Sequence, residues 1–324
     1  MNISDIAKLA GVSNAAVSRY FNNGYISSEK RERIEKIVKE TGYRPSVQAQ
    51  MLRTKKSMII GVITPKMASH SIGSVVEGIL SVLNETGYHM LLAVTQNDYK
   101  KEVEYLKAFN DAQVDGVILV GTVFTKEHKS AMKKMRIPVV VVGQKFPGYA
   151  CVYHNDYGAI HDMTKKVIAE GRRKIGYIGV MQADKAVGYD RHEGFLDALK
   201  EAGLKQENMY IETADSFTME AGFDAAEEIY RNYSSMDALI CATDEIAVGA
   251  MKALLAHNIK VPEDVLITGV GDSSLTDIAG HRIYTIHYSY EDSGSLGAKM
   301  LLTLINDNSI PLEEVKLGYN LVIR

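Results

Sequence analysis

The chain has 324 residues, 46% of them hydrophobic and 24% charged, with a formal net charge of −3. That length suits two or three compact units, and the apolar fraction suffices for a sizeable core. No apolar run reaches the roughly 18 residues of a membrane span, and Met1-Asn2-Ile3-Ser4-Asp5 lacks the basic-then-apolar pattern of a secretory leader, so a cytoplasmic protein without a membrane partner is expected. Cys151 and Cys241 both fall in apolar, strand-like surroundings and are expected to be buried reduced thiols. No Cys/His cluster has zinc-ligand spacing, and no metal or cofactor is expected.

Charge is unevenly distributed along the chain. Residues 1–60 hold eleven Lys and Arg against five acids, a net +6, which leaves −9 on the remainder. A basic arm on an acidic body suggests a segment that faces nucleic acid. Ser4 and Asp5 can cap a first helix from Ile6 to Ala10. Gly11 supplies a turn and Val12 an apolar plug. Ser13 caps a second helix, from Asn14 to about Phe21, and Asn22-Asn23-Gly24 ends it, with Gly24 suited to a positive φ. A third helix opens at Ser27-Ser28-Glu29-Lys30, turns Ile34, Ile37 and Val38 to one face, and stops at Gly42.

Two short helices joined through a glycine turn form a helix-turn-helix. The second helix of that motif enters the major groove with its N-terminal residues first. Asn14 would then pair with adenine and Ala15 touch a thymine methyl. Ser18 and Arg19 follow one turn later, with Arg19 reading guanine or clamping a phosphate. Pro45 blocks continuation of the third helix. Ser46 to Leu52 is helix-competent but too short to be stable alone, which leaves two readings open: a helix that folds when two copies meet on DNA, or an ordinary flexible linker.

From Met58 onward, strands and helices alternate. Strands are expected at Met58–Thr64, His89–Val94, Gly116–Val120, Pro138–Val142, Ile175–Gly179, Tyr210–Glu212, Ala238–Ala242 and Val265–Val270. Helices are expected at Val75–Glu85, Lys100–Ala112, Lys126–Met135, Asp162–Glu170, Arg191–Ala202, Met219–Arg231 and Ile246–His257. Short, wholly apolar strands in repeated β-α units imply parallel sheets covered on both faces, in two lobes. Ligands of such sheets sit beyond the carboxyl ends of the strands. The loops there include Thr64-Pro65-Lys66-Met67, Gly121-Thr122, Gly143-Gln144, Val180–Arg191, Thr243-Asp244 and Gly271-Asp272, rich in groups that suit hydroxyls.

The run Ile3-Ser4-Asp5-Ile6-Ala7-Lys8-Leu9-Ala10-Gly11-Val12-Ser13, then Val17-Ser18-Arg19 and Gly42-Tyr43-Arg44-Pro45, resembles the lac repressor (LacI/GalR) family. Val114-Asp115-Gly116-Val117-Ile118, Asp190-Arg191-His192-Glu193-Gly194-Phe195 and Ala242-Thr243-Asp244-Glu245 extend the likeness over essentially the whole chain. The resemblance implies a helix-turn-helix head at 1–45, a hinge helix and linker at 46–57, and a periplasmic-binding-protein-like body at 58–324. The body's N-lobe would take about 58–158 and 289–318, its C-lobe about 159–288 and 319–324. It implies a homodimer, or a higher assembly, on a palindromic operator. DNA contacts would come from Ser4, Ser13, Asn14, Ala15, Ser18, Arg19, Asn22, Tyr43, Gln50 and Leu52, with Leu52 as a minor-groove wedge. Ala16 stands where the family usually has Thr, a departure that bears on one phosphate contact.

The resemblance also implies a small-molecule effector, with Arg191 as its main anchor. Lys66, Ser69, Gln144, Asn155, Asp156, Thr243, Asp244 and Asp272 complete the candidate effector set. Gly271 replaces a carboxylate usual in the family, and Asn155 replaces an aspartate. Fewer carboxylates mean less repulsion toward an anion. The stretch Gly148 to Gly158, with Gly269-Val270-Gly271, is similar to repressors of sucrose and trehalose utilisation. The expectation is a transcriptional repressor of a carbohydrate operon, relieved by a sugar or a sugar phosphate, in particular a phosphorylated disaccharide.

Three rival readings stand beside it. A co-repressor-dependent regulator would sense a purine or a phosphocarrier protein. A sugar-modifying enzyme is disfavoured because Gly-x-Gly-x-x-Gly, Gly-x-x-x-x-Gly-Lys-Ser/Thr and Gly-x-Ser-x-Gly are all missing. An exported sugar-binding protein is disfavoured by the head and the lack of a leader.

Overall fold

Local capping chemistry and apolar spacing divide the chain into a small helical unit, Met1–Ser57, and a large α/β unit, Met58–Arg324. The structure, a computed structural model, describes residues 1–22, 24–43, 56–112, 114–205, 209–277 and 282–324. In the head, α1 spans Ile3–Ala10, α2 Asn14–Phe21 and α3 Ser28–Thr41. The first helix begins three residues earlier than expected, and its cap is Asn2, not Ser4. Asn2 Oδ1 accepts from the Ser4 and Asp5 amides while Asp5 returns a bond to the Asn2 amide, a capping box. Gly11 and Gly42 end α1 and α3 in the left-handed region, each at φ 64°. Ile6, Ala7, Ala10, Ala16, Val17 and Ile34 form the head's core, with Val12 packed against it.

The body opens with β1 (Ile59–Thr64), α4 (His70–Thr86), β2 (His89–Val94), α5 (Tyr99–Asp111), β3 (Gly116–Val120), α6 (Lys126–Lys133), β4 (Val139–Val142) and β5 (Ala150–His154). With a later strand, β11 (Glu314–Leu317), these strands form a parallel sheet in the order β11-β5-β4-β3-β1-β2. The chain then passes into a second layer set: α7 (Asp156–Ala169), β6 (Ile175–Gly179), a π-helical turn (Lys185–Asp190), α8 (Arg191–Glu201), β7 (Met209–Thr213), α9 (Met219–Asn232), β8 (Ala238–Cys241), α10 (Asp244–Ala256) and β9 (Leu266–Thr268). Its parallel sheet runs β7-β6-β8-β9. After β10 (Thr285–His287), the chain returns to the first lobe as α11 (Tyr290–Asn306), which packs on α4, and as β11 (Glu314–Leu317), which pairs with β5. It then crosses back as β12 (Asn320–Val322), antiparallel to β10. Three strand connections therefore join the two lobes.

Strand burial follows the apolar runs. β3, β4, β6 and β8 are buried along their full length, as expected of strands covered on both faces. Cys151 and Cys241 are buried, unpaired thiols in β5 and β8. No helix among the described residues is long and apolar enough to cross a membrane.

Candidate effector cleft and DNA-facing helix

On the head, Ser13 Oγ accepts from the Ala16 amide and so fixes the start of α2. Asn14, Ala15 and Arg19 are exposed and Ser18 is half-buried on the side of α2 away from Ala16 and Val17. The Asn14 side chain donates to Ser4 Oγ at 3.1 Å, so Ser4 ties α1 to the start of α2. Asn22 caps the far end, and its amide bonds to the Ser18 carbonyl and hydroxyl. Tyr43 is half-buried with its ring edge-on to Phe21 at 5.7 Å. Ala16 is buried in the core, where it presents no surface to a phosphate. Gln50 and Leu52, with the expected hinge helix, lie outside the described residues.

In the body, the carboxyl ends of both sheets face one polar cleft. Lys66 and Ser69 reach it from the loop between β1 and α4, Gln144 from beyond β4, Asp156 from the first turn of α7, Arg191 from the start of α8, and Thr243 and Asp244 from the start of α10. Seven of the nine expected effector residues therefore line one cavity. The other two do not. Asn155 turns away to cap α7, accepting from the Gly158 amide, and also accepts from Lys316 at 3.3 Å in an adjoining groove that shares Gln144, His154 and Asp156 with the cleft. Asp272 is spent on a C-terminal clamp, accepting from Arg324 at 2.7 Å and lying 3.1 Å from His287 Nδ1. In both cases a neighbour unforeseen in the sequence, Lys316 or Arg324, claims the polar group.

Arg191 is 5% exposed, and each of its three side-chain nitrogens already has a partner within the protein. Its Nε donates to Asp156 Oδ1 at 2.7 Å, a second nitrogen reaches the same oxygen at 2.7 Å, and Nη1 bonds the Ala242 carbonyl. Tyr288 donates to the same carboxylate at 3.2 Å. Burial works against the Arg191 charge, but Asp156 outweighs it and holds the guanidinium protonated. Arg191 thus enters the cleft as half of a buried ion pair. Lys66 has no carboxylate within ion-pair distance among the described residues; its ammonium lies 4.7 Å from the centre of the Phe217 ring. Burial lowers its pKa, and the Glu245 carboxylate pulls in the opposite direction.

Several cleft groups carried no sequence signal. Asp184 caps the π-helical turn, and its Oδ1 accepts from the Val187 amide and from Gln144 Nε2, each at 3.0 Å. Burial raises its pKa to about 6. Asp244, an expected cleft residue, accepts from Thr285 Oγ1 at 2.6 Å and from the Ser273 amide at 2.7 Å, two partners that the sequence does not signal, and burial raises its pKa too. His154 stacks on Tyr288 at 4.5 Å, and burial lowers its pKa. Phe217, Tyr288 and Tyr290 add aromatic surface to the lining. Aromatic rings beside paired carboxylates and an arginine suit the apolar faces and the hydroxyl edges of a sugar. Asp184 and Glu245 also correct the charge argument. With Asp156 and Asp244 they make four carboxylates against Lys66 and Arg191, so the cleft as a whole is not depleted of negative charge.

Comparison with known proteins matches these two parts separately. A family model for bacterial regulatory proteins of the lacI family matches residues 2–46, and one for a periplasmic binding protein-like domain matches residues 164–324. The sucrose operon repressor of Staphylococcus xylosus is 34% identical over 310 residues, covering 95% of each chain. Among solved structures, the transcriptional regulator CelR in complex with cellobiose is 25% identical, with a TM-score of 0.76 over 100% of this chain and 99% of its own. The lac repressor dimer bound to operator and an anti-inducer has a TM-score of 0.90 at 20% identity, over 100% and 98% of the two chains, a likeness of fold.

Proposed function

The chain belongs to the LacI family of bacterial regulatory proteins, and from that premise we propose that it is a sequence-specific repressor of a carbohydrate operon, relieved by a sugar. The observation that carries the reading is the coexistence in one chain of a capped α2 presenting Asn14, Ala15, Ser18 and Arg19 with a polar, aromatic-lined cleft. A homodimer sets one α2 in each half-site of a palindromic operator. The chain divides into a head at 1–45, a hinge at 46–57 and a body at 58–324. The sheet membership of β11 and the pairing of β12 support an N-lobe of about 58–158 with 289–318 and a C-lobe of about 159–288 with 319–324.

The effector is a disaccharide, in keeping with the sucrose operon of one relative and the cellobiose bound by another. We assign its hydroxyl edge to Arg191, Asp156 and Asp184 and an attached phosphate to Lys66. The support for the phosphate is local, not a matter of total charge. Lys66 is the cleft cation without an ion-pair partner among the described residues. It shares its loop with Ser69, the residue before α4, and lies near Ser71 in the first turn, where backbone amides lack helical partners and Ser69 makes no side-chain cap. Calorimetry with sucrose, trehalose and their 6-phosphates tests this. Tighter binding of a 6-phosphate, lost in Lys66→Gln, is the expected result. Equal or tighter binding of the free sugar removes the phosphate from the proposal. Operator fragments titrated with and without the tighter sugar test the repressor reading. Operator affinity that no sugar lowers contradicts it.

A further inference from the structure

A chain of hydrogen bonds runs from a fully buried pair in the first lobe across the cleft to the second. Its inner end is His128, at the start of α6, and Glu102, in the first turn of α5, both 0% exposed. The Thr125 amide donates to His128 Nδ1 at 3.2 Å. An imidazole nitrogen that accepts carries no proton, so the ring's hydrogen sits on Nε2. Nε2 lies 3.1 Å from Glu102 Oε2 and donates to it. The other carboxylate oxygen, Oε1, accepts from the Thr122 hydroxyl at 3.2 Å. Each group in this buried cluster has a defined role as donor or acceptor, and the cluster pins the loop that leaves β3.

That loop is one wall of the cleft. The Thr122 carbonyl accepts from Gln144 Nε2, and the same nitrogen donates its second hydrogen to Asp184 Oδ1 at 3.0 Å. Both partners are acceptors, which fixes the orientation of the Gln144 amide. Gln144 follows β4 in the first lobe, and Asp184 follows β6 in the second. Gln144 is 4% exposed and Asp184 5% exposed, so this single amide bridges the lobes out of contact with bulk water. There a lost partner costs far more than it would at a surface.

We propose that Gln144 and Asp184 form an interlobe latch that holds the two lobes together across the cleft, and that Glu102 and His128 are the positioning residues that aim Gln144 at Asp184. The role of the latch in effector response rests on reading the cleft as the sugar site; the latch itself does not. Asp184 then answers either to Gln144 or to an incoming hydroxyl, so ligand entry and lobe closure share one carboxylate.

The test reads lobe separation in the full-length, ligand-free protein by double electron–electron resonance. Spin labels go at Lys129→Cys on α6 and Glu220→Cys on α9, both exposed. Gln144→Glu places two carboxylates face to face and should add a longer distance population. The double variant Gln144→Glu with Asp184→Asn restores a donor–acceptor pair between the lobes, though not the bond to the Thr122 carbonyl, and should shift the distribution back toward that of the parent. Glu102→Leu should lengthen the distances as Gln144→Glu does, while Glu102→Gln, which keeps both an acceptor and a polar partner for Thr122, should not. An unchanged distribution in Gln144→Glu, or no rescue in the double variant, overturns the latch. Rescue without any lengthening in Glu102→Leu overturns the positioning role. Adding sucrose and sucrose 6-phosphate separates the two readings. Intact latch behaviour with no response to either sugar counts against the sugar assignment and leaves the latch standing.

Discussion

At the residue scale the cleft is organised by pairs, and the pairs decide what a substitution costs. Arg191 binds Asp156 and the Ala242 carbonyl inside the protein, so Arg191→Ala strands a buried carboxylate as well as removing the proposed sugar contact. Breaking a buried pair this way costs about 3–5 kcal/mol. Urea unfolding of Arg191→Ala should show a loss of that order together with loss of the sugar response. A fully stable variant would mean that Asp156 finds another partner. Asp184 carries the opposite cost. Its folded pKa is raised to about 6 by burial, so the folded state binds a proton more tightly than the unfolded chain. Stability from this group is full below about pH 4 and is lost as pH rises toward and through about 6. Asp184→Asn should flatten that part of the stability–pH curve and raise stability at pH 7, by about 1–3 kcal/mol if the whole shift acts. A curve that keeps its slope between pH 4 and 6 would place the titration elsewhere.

At the scale of elements, both lobes rest on helix pairs whose backbones nearly touch. A Cβ on Gly78 of α4 would collide with the Glu291 carbonyl of α11, and one on Gly294 of α11 with the Val75 carbonyl of α4. The second lobe repeats the device, with Gly222 of α9 against Ile246 and Gly249 of α10 against Met219. Gly78→Ala and Gly249→Ala should each destabilise by about 1–3 kcal/mol, the range for overpacking. Both should do so although Ala is the better helix former. Thermal melts in which either variant gains stability would contradict this packing. The same glycines explain what was hard to read in the sequence. Gly116–Val120 and Ile175–Gly179 are legible to the residue, because an apolar run bounded by turn residues is a local signal. α11 is not, since Gly294, Gly297 and its serines look like loop until the neighbouring helix is in view. For the same reason α7 begins at Asp156 and not at Asp162: Gly158 argues for a loop, while the Asn155 cap outweighs it. The cleft divides likewise. Asp244 and Gln144 are readable from their places beyond strand ends and Arg191 from the family resemblance, whereas Asp184 and Tyr288 are tied to the cleft by partners distant in sequence, Gln144 and Asp156.

At the scale of the whole molecule, the basic head and the acidic body do different work, and ionic strength separates them. Phosphate contacts release counterions, so operator affinity should fall steeply with salt, while a bond network as buried as that of Arg191 should hold sugar affinity nearly constant. Arg19 is exposed on the outer side of α2, so two outcomes of Arg19→Ala can be told apart. If Arg19 clamps a phosphate, affinity drops equally for all sequences and the slope of log K against log salt shrinks by about one per contact. If it reads a guanine, discrimination at one operator position falls by about 1–3 kcal/mol. Leu52 probes the link between the two activities. If Leu52 is the expected wedge, working only when paired on DNA, it contributes nothing to the free protein, and Leu52→Ala should leave sugar binding unchanged without DNA. Operator affinity should fall tenfold or more, and with it the effect of operator on sugar binding. That coupling is reciprocal, so it can be measured from the sugar side alone, as the shift in sugar affinity when operator is added. If the shift survives intact in Leu52→Ala, the head and the cleft communicate by a route that does not pass through the hinge.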